Sequence, residues 1–294
     1  MPELPEVQTT VNGLRRRLVG RRVVSFWTDW PRSIRGLTPA QLRRGIEGLE
    51  ILKIGRLGKN VLVSLAGGHR LLIHQKMTGH LMVGRWSIRR VGRGWLVKSL
   101  VAGPLNERTN QYIHAIFTLD SGDMLALSDL RKFARIDFGK KEYILGLPAI
   151  YRLGPDALSR HLTPEVFRNA VGGRKKSIKQ ALMDPSVIAG IGNIYADDIL
   201  WSARIHPARR ADTLSRAELD RILTYTRKIL RTAIRLGGTS ISDYRNPSGG
   251  SGKYGRAILV YRRAGHPCPR CGKEISRIVL GQRSAHFCPS CQRL

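Results

Sequence analysis

The residues with the most chemical potential sit at the two ends of the chain. At the start, Met1-Pro2-Glu3-Leu4-Pro5-Glu6-Val7 sets a proline beside a carboxylate. An initiator methionine ahead of proline is usually removed, which would leave a secondary amine at the terminus. An α-amino group has a pKa of about 7.7–8.0, so a useful fraction is unprotonated near neutrality, and amines attack aldehyde-like carbons to give Schiff bases. The same residues also fit a tail stiffened by Pro2 and Pro5 ahead of a helix, and this segment alone does not separate the two readings. At the other end, all four cysteines fall in Cys268-x-x-Cys271 and Cys288-x-x-Cys291, with residues 272–287 between the pairs. Two such knuckles flanking a hairpin-sized insert let four thiolates close a tetrahedron around one Zn2+. Four protein ligands leave no open position, so that metal would be structural rather than catalytic. A redox or disulfide pair is the alternative.

The elements that must hold these groups follow from periodicity. Val7, Val11, Leu14 and Leu18 recur at helical spacing behind Pro5, with arginines on the other face and Gly20 as a stop. Strands are expected at 22–27, 51–54, 61–65, 70–74, 115–119 and 124–127, with Gly67-Gly68 and Asp120-Ser121-Gly122-Asp123 as turns. Thr38-Pro39 opens a short helix among them. Residues 85–110 are basic, rich in glycine and without clear periodicity, which reads as a long loop or insertion. Beyond a glycine and proline cluster at 139–155 the pattern turns helical. There Thr163-Pro164-Glu165 starts one helix, and Ser215-Arg216-Ala217-Glu218 is a capping box before a long one that stops at Gly237-Gly238. The expectation is an α+β chain. An N-terminal antiparallel β-sandwich flanked by helices covers 1–140, a linker 141–153, a helical domain 154–265 with a glycine-rich loop at about 237–255, and a β-hairpin zinc finger 266–294.

At 294 residues and 42% hydrophobic content the chain can bury two ordinary cores. Its 51 Lys and Arg against 21 Asp and Glu give a formal charge of +30, an excess that calls for a polyanionic partner. Nucleic acid leads. No run approaches the roughly 18 apolar residues of a spanning helix, and the acidic start is unlike the cationic head of a secretory signal. A soluble intracellular protein with no membrane partner is expected.

Several segments, in this order, carry a resemblance. They are the Pro-Glu-Leu-Pro-Glu-Val start, Ile73-His74 with Met77-Thr78-Gly79, Asp129-Leu130-Arg131-Lys132-Phe133, Leu182-Met183-Asp184 followed by Gly190-Ile191-Gly192-Asn193-Ile194-Tyr195, Gly237-Gly238-Thr239, and Gln282-Arg283 inside the cysteine module. Together they resemble the formamidopyrimidine-DNA glycosylase family, bacterial enzymes that remove oxidised purines such as 8-oxoguanine and cut the strand. The sister branch, endonuclease VIII, usually has glycine where this chain has Leu4. The resemblance implies that the Pro2 amine attacks C1′ of the damaged nucleotide and that Glu3 donates a proton during base loss. It implies that Lys59 binds phosphate and transfers protons in β-elimination, and that Arg283 contacts phosphate and serves δ-elimination. It further implies base flipping, with Met77 plugging the vacated space, Phe133 wedging between bases and Arg131 reading the orphaned partner, typically cytosine. His74 and the Tyr112 position join the DNA-contacting set, with Arg174 and Asn193 on phosphates, the latter in a helix-two-turn-helix element. Lys175, Lys176 and Lys179 would add attraction, and residues 239–254 would form a lid over the flipped base.

Each of these residues also has a plainer reading. By type alone, Met77 and Phe133 fit core positions, Lys59 a solvated surface, Glu3 and Glu6 carboxylates at a helix start, Arg283 a generic phosphate contact, and the glycine-rich stretch a passive linker. Departures from the family pattern bear on specificity: Tyr112 stands where a DNA-contacting histidine is usual, Gln75-Lys76 where Leu-Gly is usual, and Asp129-Leu130-Arg131-Lys132-Phe133-Ala134 where Asp-Pro-Arg-Arg-Phe-Gly is usual. The expected function is a monomeric, cytoplasmic, bifunctional glycosylase and abasic-site lyase acting on damaged double-stranded DNA. The alternatives are an endonuclease VIII-like enzyme for oxidised pyrimidines or abasic sites and, from another class, a basic zinc-stapled DNA-binding protein without catalysis. Every catalytic version requires a free Pro2. Intact-mass measurement of the purified protein is expected to show Met1 lost and no acetyl group; a retained Met1 removes the nucleophile.

Overall fold

The apolar stripe Val7, Val11, Leu14 and Leu18 forms one face of a helix. In the computed structural model, which describes residues 1–241 and 243–294, α1 (Leu4–Leu18) buries all four side chains. Glu3 is its N-cap and Pro5 lies in the first turn, where a missing N–H costs nothing. Arg15, Arg16 and Arg17 in the last turn face the negative end of the helix dipole, and Gly20 turns the chain away with a φ of 83°.

The chain forms two compact units, Met1–Ile150 with Leu236–Lys253 and Tyr151–Arg235 with Tyr254–Leu294. In the first, α1 is followed by β1 (Val23–Thr28), α2 (Pro39–Ile46), β2 (Ile51–Leu57), β3 (Asn60–Leu65), β4 (His69–His74), β5 (His80–Gly84), β6 (Trp86–Val91), β7 (Gly94–Ser99), β8 (Ile113–Leu119), β9 (Met124–Ser128) and β10 (Arg135–Lys140). Two four-stranded antiparallel sheets result, ordered β1-β8-β9-β5 and β10-β4-β3-β2. They form a β-sandwich whose shared core takes Phe26, Leu81 and Phe117 from one sheet, Ile54, Val63 and Ile136 from the other, and the apolar stripe of α1.

Residues 85–110 are not the long loop that their sequence suggests. Trp86, Ile88 and Val97 lie on one side of a β6–β7 hairpin and pack with Met82, Ile116 and Ala126 on the outer face of the first sheet. Arginines and glycines at the remaining positions hide this two-residue period from a composition-based reading. The 141–153 stretch likewise holds two short helices, α3 (Lys141–Leu145) and α4 (Pro148–Tyr151).

The second unit contains α5 (Pro164–Val171), α6 (Ile178–Met183), α7 (Asn193–Ala203) and α8 (Arg216–Arg235), then the hairpin β11 (Ser276–Leu280) and β12 (Arg283–Phe287). Thr163 accepts from a backbone N–H group at its helix start and Ser215 from Glu218 N ahead of α8, as the sequence suggests, and Ser177 caps α6 in the same way.

The glycine-rich stretch that sequence boundaries assign to the helical domain packs, as far as Lys253, in the first unit. Val83 N donates to Pro247 O at 2.8 Å, Asn110 Nδ2 to Gly249 O at 3.1 Å, and Lys253 N to Leu236 O at 2.8 Å. These long-range bonds have no local sequence signature. Ser242, within the expected lid, lies outside the described residues. Because α1 supplies the sandwich with its central stripe, Leu14→Ala is expected to destabilise the first unit by about 2–5 kcal/mol, seen as a lower urea midpoint.

Candidate functional site

The start of α1 is a buried carboxylate cluster. Glu3 and Glu6 are both almost fully buried, and Glu3 N donates to Glu6 Oε2 at 2.8 Å, half of a capping box. Glu6 Oε1 accepts from Thr239 N at 2.7 Å, and the Tyr244 hydroxyl donates to Glu6 O at 3.1 Å. A Cβ at Gly238, where φ is 80°, would stand 2.9 Å from Glu6 Oε1, so only glycine lets the backbone pass this close. Glu6, open between structure and chemistry in the sequence, thus fastens the glycine-rich segment to the amino terminus. Burial raises the Tyr244 hydroxyl well above its ordinary pKa, helped by the Glu6 charge, so it stays a neutral donor.

Pro2 is buried immediately ahead of this cap, and Met1 still precedes it. The Met1 amine is pushed below its ordinary pKa by burial, with Glu3 and Glu6 pulling it up and Lys59 pushing it down. Lys59 therefore acts electrostatically on the terminus. It sits in the two-residue turn between β2 and β3, where Leu57 pairs with Asn60 and Gly58 has a φ of 54°. Pro2, Glu3 and Lys59 are all residues of the first unit.

Met77, Arg131 and Phe133 lie on two loops at one end of the sandwich, beyond the paired residues His80 and Ser128. Met77 is 38% and Phe133 48% exposed, so neither is the core residue its type suggests. The Arg131 guanidinium lies 4.6 Å from the Phe133 ring centroid. One buried carboxylate organises both loops. Asp129 accepts from Phe133 N and Ala134 N at 2.7 Å each, and from the Thr78 hydroxyl, which itself accepts from Arg131 N at 3.0 Å. A Cβ at Gly79 would stand 2.3 Å from Gln75 O, which keeps the first loop tight.

Lys76 and Lys132 occupy the left-handed region with φ of 55° and 56°, and both amide atoms of buried Gln75 have no hydrogen-bond partner among the described residues. The usual glycine of the family pattern at the Lys76 position thus has a conformational reason. His74 Nδ1 accepts from Lys76 N at 2.9 Å, leaving Nε2 as the N–H. Burial, with Lys76, Lys59 and Arg135 nearby, pushes its pKa down to about 3, so the ring is neutral. Tyr112 is half-buried and its carbonyl accepts from Asp129 N.

In the second unit, Gly192 caps α7 and Asn193 is its first residue; Arg174 is exposed. Lys179 is not a surface cation: it is 1% exposed and its Nζ lies 2.6 Å from Asp197 Oδ1, whose partner oxygen accepts from His286 N at 3.0 Å and Nδ1 at 2.9 Å. Lys176 is half-buried and pairs with Asp184, so of the three lysines only Lys175 is fully exposed. The four cysteine Sγ atoms lie within 4.8 Å of one another, and Cys271 and Cys288 approach to 3.4 Å. That is far from a bond of about 2.05 Å and close to the roughly 3.8 Å edge of a tetrahedron with Zn–S bonds of about 2.3 Å. The Trp201 indole N–H donates to Cys268 Sγ at 3.3 Å, an outer-shell bond of the kind that steadies a thiolate ligand. Gly281 and Gln282 both have positive φ, 52° and 63°, which makes a tight hairpin turn that presents the exposed Arg283.

Sequence reasoning did not find the organising roles of Asp129, Thr78, Asp197 and His286. All four lie within or beside the quoted motifs, where buried polar type was the available signal. Asp129→Asn places an N–H2 group against backbone N–H donors. It is expected to cost about 1–3 kcal/mol and to speed amide exchange at Arg131, Phe133 and Ala134, measured by urea unfolding and hydrogen exchange.

Comparison with known proteins places this geometry. The formamidopyrimidine-DNA glycosylase N-terminal domain model matches residues 1–136, the H2TH domain model of the same enzymes 153–245, and the zinc finger found in FPG and IleRS 265–294. The formamidopyrimidine-DNA glycosylase of Heliobacterium modesticaldum is 37% identical over 94% of each chain. That of Symbiobacterium thermophilum is 39% identical over 95% of this chain and 85% of its own. Lactococcus lactis Fpg in complex with abasic-site DNA superposes with a TM-score of 0.84 at 30% identity, covering 99% of this chain and all of that one. The wild-type Lactococcus lactis enzyme with an N7-benzyl-Fapy-dG DNA gives 0.85 at 30% identity, with both chains fully covered. With its sandwich, helical unit and four-cysteine finger all matched, this chain belongs to the formamidopyrimidine-DNA glycosylase family.

Proposed function

We propose that the chain excises oxidised purines from double-stranded DNA through a Schiff base on Pro2 and then cuts the strand. The observation that carries this reading is the buried Pro2 beside the buried Glu3 at the start of α1, with Lys59 acting on the Met1 amine that precedes them. Once Met1 is removed, the Pro2 nitrogen bonds to C1′ as the C1′–N bond to the base breaks, and Glu3 supplies the proton that the departing base takes up. Loss of the nitrogen proton and opening of the sugar leave an iminium at C1′, which acidifies C2′. Removal of a C2′ proton then expels the 3′ phosphate, with Lys59 on phosphate and in proton transfer, and Arg283 assists loss of the second phosphate. Burial lowers the pKa of the Met1 amine, and the same burial at Pro2 would favour a neutral nucleophile once Met1 is gone.

Met77 and Phe133 are apolar side chains held out from the sandwich by the Asp129 anchor. They suit filling and wedging at a flipped nucleotide, with Arg131 toward the unpaired base. Arg174 and Asn193, the latter at the glycine-capped start of α7, suit phosphates. The reading takes the protein to act as a monomer in the bacterial cytoplasm, with one structural zinc. No helix among the described residues is long and apolar enough to cross a membrane.

Borohydride reduction of the iminium is expected to trap the wild-type protein covalently on 8-oxoguanine and on abasic-site duplexes. Glu3→Gln is expected to slow release of 8-oxoguanine about 10²–10⁴-fold yet still be trapped on a preformed abasic site. Full trapping of Pro2→Gly, or none of wild type, overturns the Pro2 mechanism. Faster cleavage of thymine glycol than of 8-oxoguanine opposite cytosine overturns the substrate class.

A further inference from the structure

The β6–β7 hairpin is unused by the chemistry above. It runs along the outer face of the β1-β8-β9-β5 sheet. Its root is at one end, where Trp86 N donates to Met124 Sδ. Toward its tip, Trp95 lies edge-on to Trp27, centroids 5.6 Å apart. Trp27 adjoins the Thr28–Ala115 pair, which is the end of the sheet where Ile113 pairs with Ser128 and where the Met77 and Phe133 loops emerge. Trp30, just beyond β1, stacks under the Lys132 ammonium of the second loop at 4.6 Å. The hairpin tip and the two loops therefore occupy the same end of the first unit.

The charge of this hairpin is one-sided. Residues 84–106 contain Arg85, Arg89, Arg90, Arg93 and Lys98 and no acidic residue. Arg85 is paired to Asp123 at 3.6 Å; the other four are exposed, and none makes an ion pair among the described residues. The apolar side of the hairpin is already spent on the sheet, while Arg89, paired with Leu96, and Lys98, paired with Ser87, are exposed on the hairpin itself. A rigid β-ribbon with unpaired guanidinium groups is suited to a closely spaced row of phosphates, and duplex DNA carries one charge per about 1.7 Å of axis.

We infer that the β6–β7 hairpin is an accessory DNA arm, whose Arg89, Arg90 and Arg93 bind backbone phosphates of the duplex flanking the lesion. This rests on Met77, Arg131 and Phe133 being the lesion-facing set. The arm adds affinity without sequence preference and does not touch the reacting sugar.

The test is equilibrium binding to an uncleavable abasic-analogue duplex, with Arg89→Ala, Arg90→Ala and Arg93→Ala combined. The variant is expected to bind about tenfold or more weakly in moderate salt, with the slope of log affinity against log salt shallower by about 2.7 for three lost phosphates. Replacement of the same three by Lys should restore most of both. Wild type should gain affinity when the duplex is lengthened by about one helical turn, and the Ala variant should not. Single-turnover cleavage at saturating protein is expected to be unchanged, which also shows that the variant is folded. Equal affinity and equal salt slope for wild type and variant overturn the arm, as does loss of binding confined to anionic phosphatidylserine vesicles. Phe133→Ala in the same experiment separates the two readings: unaltered affinity for the abasic-analogue duplex there sinks the wedge assignment, whereas an unaltered salt slope in the hairpin variant sinks only the arm.

Discussion

The contact that holds the amino terminus of the first unit in place is the Glu6 carboxylate. It is buried, and an ionised carboxylate is costly to bury unless every oxygen is met by donors. The α1 start supplies one with Glu3 N, and the glycine-rich segment supplies another with Thr239 N. Each side therefore needs the other. The helix start is positive through its dipole, and the segment crosses it closely enough that Gly238 can carry no side chain. A terminal residue normally frays. Here the cap, the crossing segment and the Tyr244 hydroxyl hold the first turn, so the backbone next to Pro2 is fixed by the Glu6 carboxylate.

A second carboxylate sets the other working edge, and the departures from ideal geometry gather around it. Lys76 and Lys132 are in the left-handed region and Gln75 is a buried amide without a partner among the described residues. Such positions each cost of order 1–3 kcal/mol, and they flank Met77 and Phe133, the large apolar side chains held exposed. Asp129 holds that arrangement against the cost by binding backbone N–H groups of one loop and the Thr78 hydroxyl of the other. Local rules broken together at one edge of an otherwise regular sandwich mark that edge as selected for something other than stability.

What the sequence revealed and what it hid divide along one physical line. Helix α1, the first-sheet strands at 115–119 and 124–127, and the caps at Thr163 and Ser215 depend on neighbours a few residues away, and periodicity or capping pattern sufficed. The four-cysteine site was legible for a different reason, because metal-ligand spacing is strict. The β6–β7 hairpin was hidden because its sheet-facing apolar residues are few, and Arg90 on that face with Val91 and Leu96 on the other breaks the alternation. Lys179 does not join the attracting surface lysines, because its partner, Asp197, is not its sequence neighbour and the two meet only when α6 packs on α7. The Glu6–Thr239 and Asn110–Gly249 bonds were invisible for the same reason: each joins residues more than a hundred positions apart.

The buried Lys179–Asp197–His286 set also explains how a small zinc module can aim a side chain. Zinc ties Cys268, Cys271, Cys288 and Cys291 together, which fixes the two knuckles to each other but not the hairpin's direction relative to the helices beneath. That direction is set where Asp197 of α7 accepts two bonds from His286 of β12 and Lys179 of α6 donates to Ser284 O. Such a buried ionic set adds little net stability over an apolar replacement, yet losing one member costs about 3–5 kcal/mol because the remaining charge is stranded. It therefore acts through specificity: only one register of β12 on α7 satisfies all three groups. Ser284 is one residue from Arg283, so the register that satisfies Lys179 also fixes where the guanidinium leaves the hairpin, and a shift by one residue would turn it to the opposite face.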